Sequence, residues 1–170
     1  MRGLVDSMAI CDYCGATYHG GAIKDGAYRY CIGQCHERGK FLLSKLEHVP
    51  QHKIDAFVIA QHDGPCPRCG QNSSIDVYQS YRIWSALVYA RWQTREYVAC
   101  QKCARAEQLA DLSTCLFAGW WSPHGLLITP FFVVFNIAAF LRRPSRTVPS
   151  ERFCKLARLM LARQLADQGV

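Results

Sequence analysis

The sequence lacks the short motifs that several large enzyme classes require. It contains no phosphate-binding glycine loop, no H-E-x-x-H pair and no Gly-x-Ser-x-Gly elbow, so neither nucleotide-dependent, metalloprotease nor serine-hydrolase chemistry is indicated. Its carboxylates are scattered along the chain, and none pairs persuasively with a histidine. We therefore expect no catalytic residues and a protein that is not an enzyme.

Charge is also sparse. Charged residues make up 19% of the 170 residues and hydrophobic ones 50%, a composition that argues against wholesale disorder. Regularly spaced charges over most of the chain argue against a multi-span membrane protein. The first ten residues hold one arginine, one aspartate and no apolar stretch of seven. This predicts a chain without a secretory signal peptide, in a reducing cytoplasmic compartment.

Cysteine, by contrast, is abundant and paired. Eight of the ten cysteines form four close pairs: Cys11/Cys14, Cys31/Cys35, Cys66/Cys69 and Cys100/Cys103. Two such pairs brought together supply four thiolates for one tetrahedral ion. Because thiolates are soft ligands, zinc is the expected metal and iron the usual substitute. Four protein ligands leave no open position, so we predict two structural zinc ions.

Three other interpretations of these cysteines stay open at this stage. Disulfides are the first, although a reducing cytoplasm would keep the thiols free. Redox activity of a C-x-x-C pair is the second, but no βαβ pattern surrounds these pairs. The third gives His36, which follows Cys35 directly, the place of a cysteine ligand.

The first 40 residues predict a small metal-bound finger. A C-x-x-C knuckle, a loop and the aromatic run Tyr28–Tyr30 precede Cys31 and Cys35, and a helical pattern begins near Glu37. The motif resembles the FCS/TRASH-type treble-clef fingers, whose closing motif is Tyr-Cys-x-x-x-Cys before a helix. The segment has too few large aliphatic side chains for a core of its own, so metal ligation must supply much of its folding free energy.

A helical connector over residues 41–64 is predicted to join this finger to a second metal module. Pro50 interrupts the helical pattern, and a second short helix is expected over Gln51–His62. Its histidines, His48, His52 and His62, are expected at exposed positions rather than as ligands.

Residues 65–108 predict a zinc ribbon, in which two knuckles are joined by antiparallel strands. Strand residues follow Cys69 and precede Cys100. The two pairs are separated by 30 residues, more than the 15–20 of the common pattern. The excess falls on an aromatic-rich excursion, Trp84–Trp92, which we expect to pack against another element.

Thirty residues from Leu112 to Leu141 contain no charge. A breaker cluster at residues 119–125, followed by Pro130 and Asn136, predicts two half-length apolar helices, an apolar hairpin over 109–143. The hairpin is expected to enter a bilayer partway or to lie in its interface, with Trp120 and Trp121 at the interfacial turn. The alternative is a buried hairpin in a soluble core.

The last segment, residues 144–170, predicts a basic amphipathic helix. Residues 142–170 hold seven basic and two acidic side chains, whereas residues 1–141 hold 13 and 11. Ser150 is the expected N-cap, and one apolar stripe contains Phe153, Ala157 and Met160. Arg142, Arg143 and Arg146, beside the apolar segment, are expected to contact anionic lipid or a partner and to mark the cytoplasmic side.

From Gly64 to about Pro144 the chain is similar to a family of uncharacterised bacterial zinc-ribbon proteins. The similarity is carried by Cys66–Gly70, Tyr81–Leu87, Cys100–Cys103 and Gly119–Trp121, with Thr129–Pro130 after the turn. The family's turn has the form Gly-x-Pro-Trp-Gly, and His124 stands here in place of its tryptophan. The resemblance implies a metal ribbon joined to an apolar hairpin, and it implies no activity.

The sequence as a whole thus predicts a small α+β protein made of metal-stabilised modules. The expected function is that of a non-catalytic zinc-binding adaptor, which interacts with a membrane surface or an apolar protein partner at the cytoplasmic face of the inner membrane. The alternative is a nucleic-acid-binding zinc-ribbon protein, because residues 28–30 and 78–82 mix aromatic and cationic side chains.

Overall fold

A computed structural model describes residues 9–18, 21–142, 144 and 147–168. The chain divides into two compact units. Unit 1 combines residues 1–63 with residues 149–170, and unit 2 comprises residues 64–148. Unit 2 is therefore an insertion within unit 1, which the linear order of predicted segments did not indicate.

Unit 1 contains two short antiparallel strand pairs and three α-helices among its described residues. Strand β1 (Ala9–Ile10) pairs with β2 (Thr17–Tyr18), and β3 (Ile23–Asp25) pairs with β4 (Tyr28–Tyr30). Helix α1 spans Gly33–Ser44 and runs into a short 3₁₀ helix, Lys45–His48. Helix α2 spans Gln51–His62, as the sequence predicts, and α5 spans Glu151–Asp167.

The C-terminal helix α5 is part of the core of unit 1. It packs against α1, α2 and the 3₁₀ helix, and its buried residues are Phe153, Ala157, Leu159 and Ala162. Ser150 is its N-cap, as predicted, and accepts a hydrogen bond from the Phe153 amide. The apolar stripe is rotated from the predicted one, since Met160 is exposed. The predicted amphipathic helix is therefore present, and its apolar face is covered by the other helices of unit 1.

Histidine 62 also differs from its expected place at the surface. Its ring is buried, its Nδ1 lies 2.9 Å from a carboxylate oxygen of Asp63, and it meets Phe153 edge to face. The other two connector histidines, His48 and His52, are exposed as expected.

Unit 2 consists of one long β-hairpin and two helices. Strands β5 (Ile75–Ala86) and β6 (Tyr89–Cys100) pair antiparallel over their whole length, with Ile75 opposite Cys100 and Ala86 opposite Tyr89. Helix α3 spans Gln101–Ala118 and α4 spans Pro123–Leu141. Both helices pack against β5 and against each other.

The additional residues between the two cysteine pairs of unit 2 lengthen its β-hairpin. The predicted excursion at Trp84–Trp92 is wrong, because β5 and β6 continue to a two-residue turn at Leu87–Val88. The side chains of Leu87 and Val88 are 83% and 86% exposed, so the tip does not pack against unit 2. Leu87 has a φ of 53°, a backbone conformation that bulky residues rarely adopt.

The apolar hairpin has other boundaries than the predicted 109–143. Helix α3 begins at Gln101, directly after the strand, so it includes charged residues and is not half-length. Helix α4 is continuous through Pro130 and has 19 residues. Pro123 opens this helix rather than breaking it, because Ser122 caps the N-terminus and proline fits the first turn.

Candidate metal centres and apolar surface

The four cysteine pairs come together as two tetrads. Cys11, Cys14, Cys31 and Cys35 form tetrad 1 in unit 1; Cys66, Cys69, Cys100 and Cys103 form tetrad 2 in unit 2. Within each tetrad the four sulfurs lie within 4.8 Å of one another. The structure therefore joins the same cysteines that the spacing grouped.

The first pair of each tetrad lies on the same type of turn. The amide of Gly15 donates to the Cys11 carbonyl at 2.9 Å, and the amide of Gly70 donates to the Cys66 carbonyl at 2.8 Å. These two glycines have φ values of 73° and 70°, which other residues adopt only with strain. The turn directs both sulfurs of a pair toward one point.

The second pair of each tetrad lies where a hairpin strand meets a helix. Cys31 follows β4 and Cys35 lies in the first turn of α1; Cys100 ends β6 and Cys103 lies in the first turn of α3. Tetrad 2 thus contains one knuckle and one helix start, not the two knuckles of the predicted ribbon. Both tetrads share one order of elements: knuckle, β-hairpin, helix.

The sulfur separations fit a metal ion better than a disulfide. Cys14 and Cys31 sulfurs are 3.7 Å apart, Cys31 and Cys35 sulfurs 3.5 Å, and Cys69 and Cys100 sulfurs 3.8 Å. A disulfide bond measures about 2.05 Å. A tetrahedron with Zn–S bonds of about 2.3 Å places its sulfurs about 3.8 Å apart. Each tetrad could therefore hold one metal ion with four thiolate ligands.

Backbone amides favour the thiolate form of one sulfur in each knuckle. Burial raises the pKa of the Cys66 thiol, but amides of its own knuckle and of Cys100 donate to the sulfur and lower this pKa to about 6. The Cys100 amide lies 3.3 Å from the sulfur. Cys11 is similar, since burial is outweighed by amides of its knuckle and of Cys31, and its pKa is lowered.

Crowding has the opposite effect on the pKa values of Cys31 and Cys103. Burial, together with the hydrogen bond to Cys35, raises the pKa of Cys31 to about 12. Hydrogen bonds shared with Cys100 and Cys69 raise the pKa of Cys103 to about 12. Four sulfurs this close resist bearing four negative charges unless a cation lies among them. A divalent metal ion supplies that charge and converts all four to ligands.

His36 is close to tetrad 1 but is occupied elsewhere. Its Nε2 lies 2.8 Å from a carboxylate oxygen of Asp25, and its ring centroid lies 5.3 Å from that of Tyr30, with the two rings tilted by 57°. The tetrad is complete without it.

Exposed apolar side chains are concentrated in unit 2. Among the residues that the structure describes, 22 large hydrophobic side chains are exposed, and 18 of these belong to unit 2. We call the exposed apolar side chains of α4 the outer face: Leu126, Leu127, Phe131, Val134, Phe135, Ile137 and Leu141. Only 22% of the most apolar 18-residue stretch of α4 is buried. By its length and composition alone, α4 could cross a membrane.

Except for Phe132, the buried residues of α3 and α4 are polar or small. In the described part of the chain, nine of the ten buried polar side chains belong to unit 2. Helices of water-soluble proteins bury an apolar stripe and expose polar residues, whereas α4 buries Thr129 and Asn136 and exposes a mainly apolar face. The buried positions repeat every three or four residues: Ala104, Gln108, Asp111 and Cys115 on α3, and Gly125, Thr129, Phe132 and Asn136 on α4.

Asp111 is the charged centre of this interior. Its carboxylate is fully buried and accepts hydrogen bonds from the Ser80 hydroxyl, from Arg82 Nε at 2.7 Å and from Arg95 at 3.3 Å. Arg95 also reaches Glu107, at 3.6 Å, and Glu107 in turn pairs with Arg68 of the knuckle. The ion pairs therefore connect tetrad 2 to the middle of the hairpin.

Asn136 hydrogen-bonds backbone groups of β5 on the edge that does not pair with β6. Its Oδ1 accepts from the Tyr81 amide at 2.9 Å, and its Nδ2 donates to the Tyr81 carbonyl at 2.6 Å. The Cys115 thiol donates to the same carbonyl at 3.3 Å, and Gln108 donates to the Gln79 carbonyl at 3.2 Å. Side chains of both helices thus make the hydrogen bonds that a neighbouring strand would otherwise make with β5.

The residues predicted to contact a membrane or partner lie in different settings. Trp120 and Trp121, 40% and 71% exposed, lie in the turn between α3 and α4. Arg142 is exposed at the C-terminal end of α4. Arg143 and Arg146 lie outside the described residues. The sequence does not indicate the hairpin tip at Leu87–Val88 or the buried polar contacts, because both depend on pairing between distant residues.

No protein-family model, curated protein or solved structure matches the chain. The class of site is therefore defined by its ligands alone: two clusters of four cysteines, each spaced to bind a metal ion.

Proposed function

We propose that the chain is a non-catalytic, zinc-stabilised adaptor that docks onto an apolar surface through unit 2. The observation that carries this proposal is the uncovered apolar outer face of α4, which lies opposite a packed side that buries Thr129 and Asn136. In water such a surface would aggregate unless something covers it. Four-thiolate sites prefer zinc and keep no open position for substrate, so the metals serve as structural supports.

Several of the aromatic and cationic side chains that favoured nucleic-acid binding are buried or paired within their own unit. Tyr30 and Tyr78 are buried, and Arg82 is paired with Asp111. Tyr81 packs against Phe132 and Phe135 of α4. These side chains are not arranged as a free stacking platform for bases, so nucleic-acid binding is not our second proposal.

Detergent-phase partitioning tests the docking role. The zinc-loaded chain is expected to enter the detergent-rich phase of Triton X-114. A combined variant of the outer face, Leu127→Ser, Phe131→Ser and Val134→Ser, should move mainly to the aqueous phase, because these exposed side chains contact the detergent. Metal content near two ions per chain would show that the variant remains folded.

The matched control makes the same kind of change in unit 1. Phe41→Ser, Ile59→Ser and Met160→Ser together also remove three exposed apolar side chains and should leave partitioning unchanged. A wild-type chain that stays monodisperse in the aqueous phase would refute docking through unit 2.

A further inference from the structure

We infer that α4 lies in the plane of one membrane leaflet, with its outer face against the acyl chains and β6 toward water. This inference rests on the proposed docking function and names the partner of the same surface, a lipid bilayer.

The length of the outer face is the first argument. Leu127, Val134 and Leu141 are spaced by seven residues, lie on one side of α4, and are 70%, 61% and 69% exposed. With 19 residues, α4 is about 28 Å long. The apolar stripe therefore follows the whole helix and is not a single pocket-sized patch.

The composition of the two sides of α4 favours lipid over a protein groove. Membrane helices carry polar and small residues on the side that packs against their own protein and apolar residues on the outside. Gly125, Thr129 and Asn136 are packed inward, and from residue 112 to 141 no side chain is charged.

Aromatic and cationic residues border this surface. Trp120 and Trp121 precede α4, and Trp121 already donates its indole N–H to the Phe117 carbonyl at 2.8 Å, so the ring can leave water without losing a hydrogen bond. At the other end Arg142 is exposed, and Arg105 lies over the Phe140 ring. Tryptophans favour the membrane interface, and arginines favour anionic headgroups.

The hairpin argues against a membrane-spanning orientation. Helix α4 packs on β5 and equally on α3, and β6, the strand paired with β5, carries Arg91, Arg95 and Glu96. If α4 crossed the bilayer, these charges would enter hydrocarbon beside it, at a large cost. In-plane burial to about 5–10 Å avoids this cost, because the charged strand remains in water.

Depth-dependent fluorescence quenching tests this orientation. A single fluorescent amino acid would replace Leu127, Val134 or Leu141 in turn, in the zinc-loaded chain bound to phosphatidylcholine–phosphatidylglycerol vesicles with bromine at different acyl positions. An in-plane helix gives the same shallow depth at all three sites. A spanning helix gives the greatest depth at position 134 and shallow positions at 127 and 141, which would overturn the inference. The same probe in place of Arg91 should not be quenched by acyl bromine.

Binding measurements complete the test. Val134→Asp should weaken vesicle binding about tenfold or more, since it removes buried apolar area and adds a charge, whereas Ile59→Asp in unit 1 should leave binding unchanged. Vesicles with the anionic lipid should bind more tightly than phosphatidylcholine alone. A chain that enters Triton X-114 but binds no vesicle would contradict the lipid partner and leave the docking function standing, whereas a chain that does neither would refute both.

Discussion

Replacing Cys100 with serine is expected to reduce the metal content from two ions per chain to one and to unfold unit 2. Cys100 ends β6 and precedes α3, so the substitution removes a metal ligand at the junction of strand and helix, while the backbone amide that donates to the Cys66 sulfur stays in place. Metal binding of this kind contributes on the order of 10 kcal/mol to folding. All four tryptophans lie in unit 2, so tryptophan emission reports the unfolding of this unit alone.

Two other serine variants are the controls for this prediction. Cys35→Ser should also lose one ion, but with little change in tryptophan emission, because tetrad 1 belongs to unit 1. Cys154→Ser should keep both ions, since Cys154 belongs to neither tetrad. The two-site interpretation is wrong if Cys35→Ser and Cys100→Ser each release both ions, or if neither releases any.

Asp111→Asn is expected to lower the free energy of unfolding of unit 2 by about 1.5–3 kcal/mol. The substitution keeps the size of the side chain and removes the negative charge that lies between Arg82 and Arg95. The Asp111 carboxylate is fully buried, whereas the side chains of Arg82 and Arg95 are each 33% exposed and keep part of their hydration. Urea unfolding followed by tryptophan emission measures the change.

Glu107→Gln is the matched comparison on the same helix. Glu107 pairs with Arg68 and Arg95, but its side chain is 28% exposed, so solvent screens the pair and the expected loss is at most about 1 kcal/mol. Equal losses of unfolding free energy in the two variants would mean that burial does not increase the contribution of the Asp111 ion pairs to the stability of unit 2.

The metal centres were the part of the molecule most accessible from sequence. Pairs such as Cys66/Cys69 place two ligands by local geometry alone, with Gly70 permitting the turn. The helix over Gln51–His62 and the cap at Ser150 likewise follow from local signals, Pro50 and a serine before an amphipathic stretch. Such features depend on neighbouring residues and need no knowledge of tertiary packing.

The rest depended on contacts between distant residues. The turn at Leu87–Val88 carries no glycine or asparagine signal, so the sequence does not show that the two predicted strands continue up to this turn. Asn136 was interpreted as interrupting a helix, but it is accommodated because it bonds the Tyr81 backbone 55 residues away. Residues 149–170 return to unit 1, and a pattern that indicates an amphipathic helix does not tell which surface covers its apolar face.

X-ray absorption at the metal edge of the purified, zinc-loaded chain tests the structural role of the two tetrads most directly. Two closed sites predict four sulfur neighbours per ion at about 2.3 Å and no nitrogen or oxygen neighbour. An average of three sulfurs with one nitrogen or oxygen per ion would contradict this, because it would mean that a histidine or an exchangeable water occupies a position that we assign to cysteine.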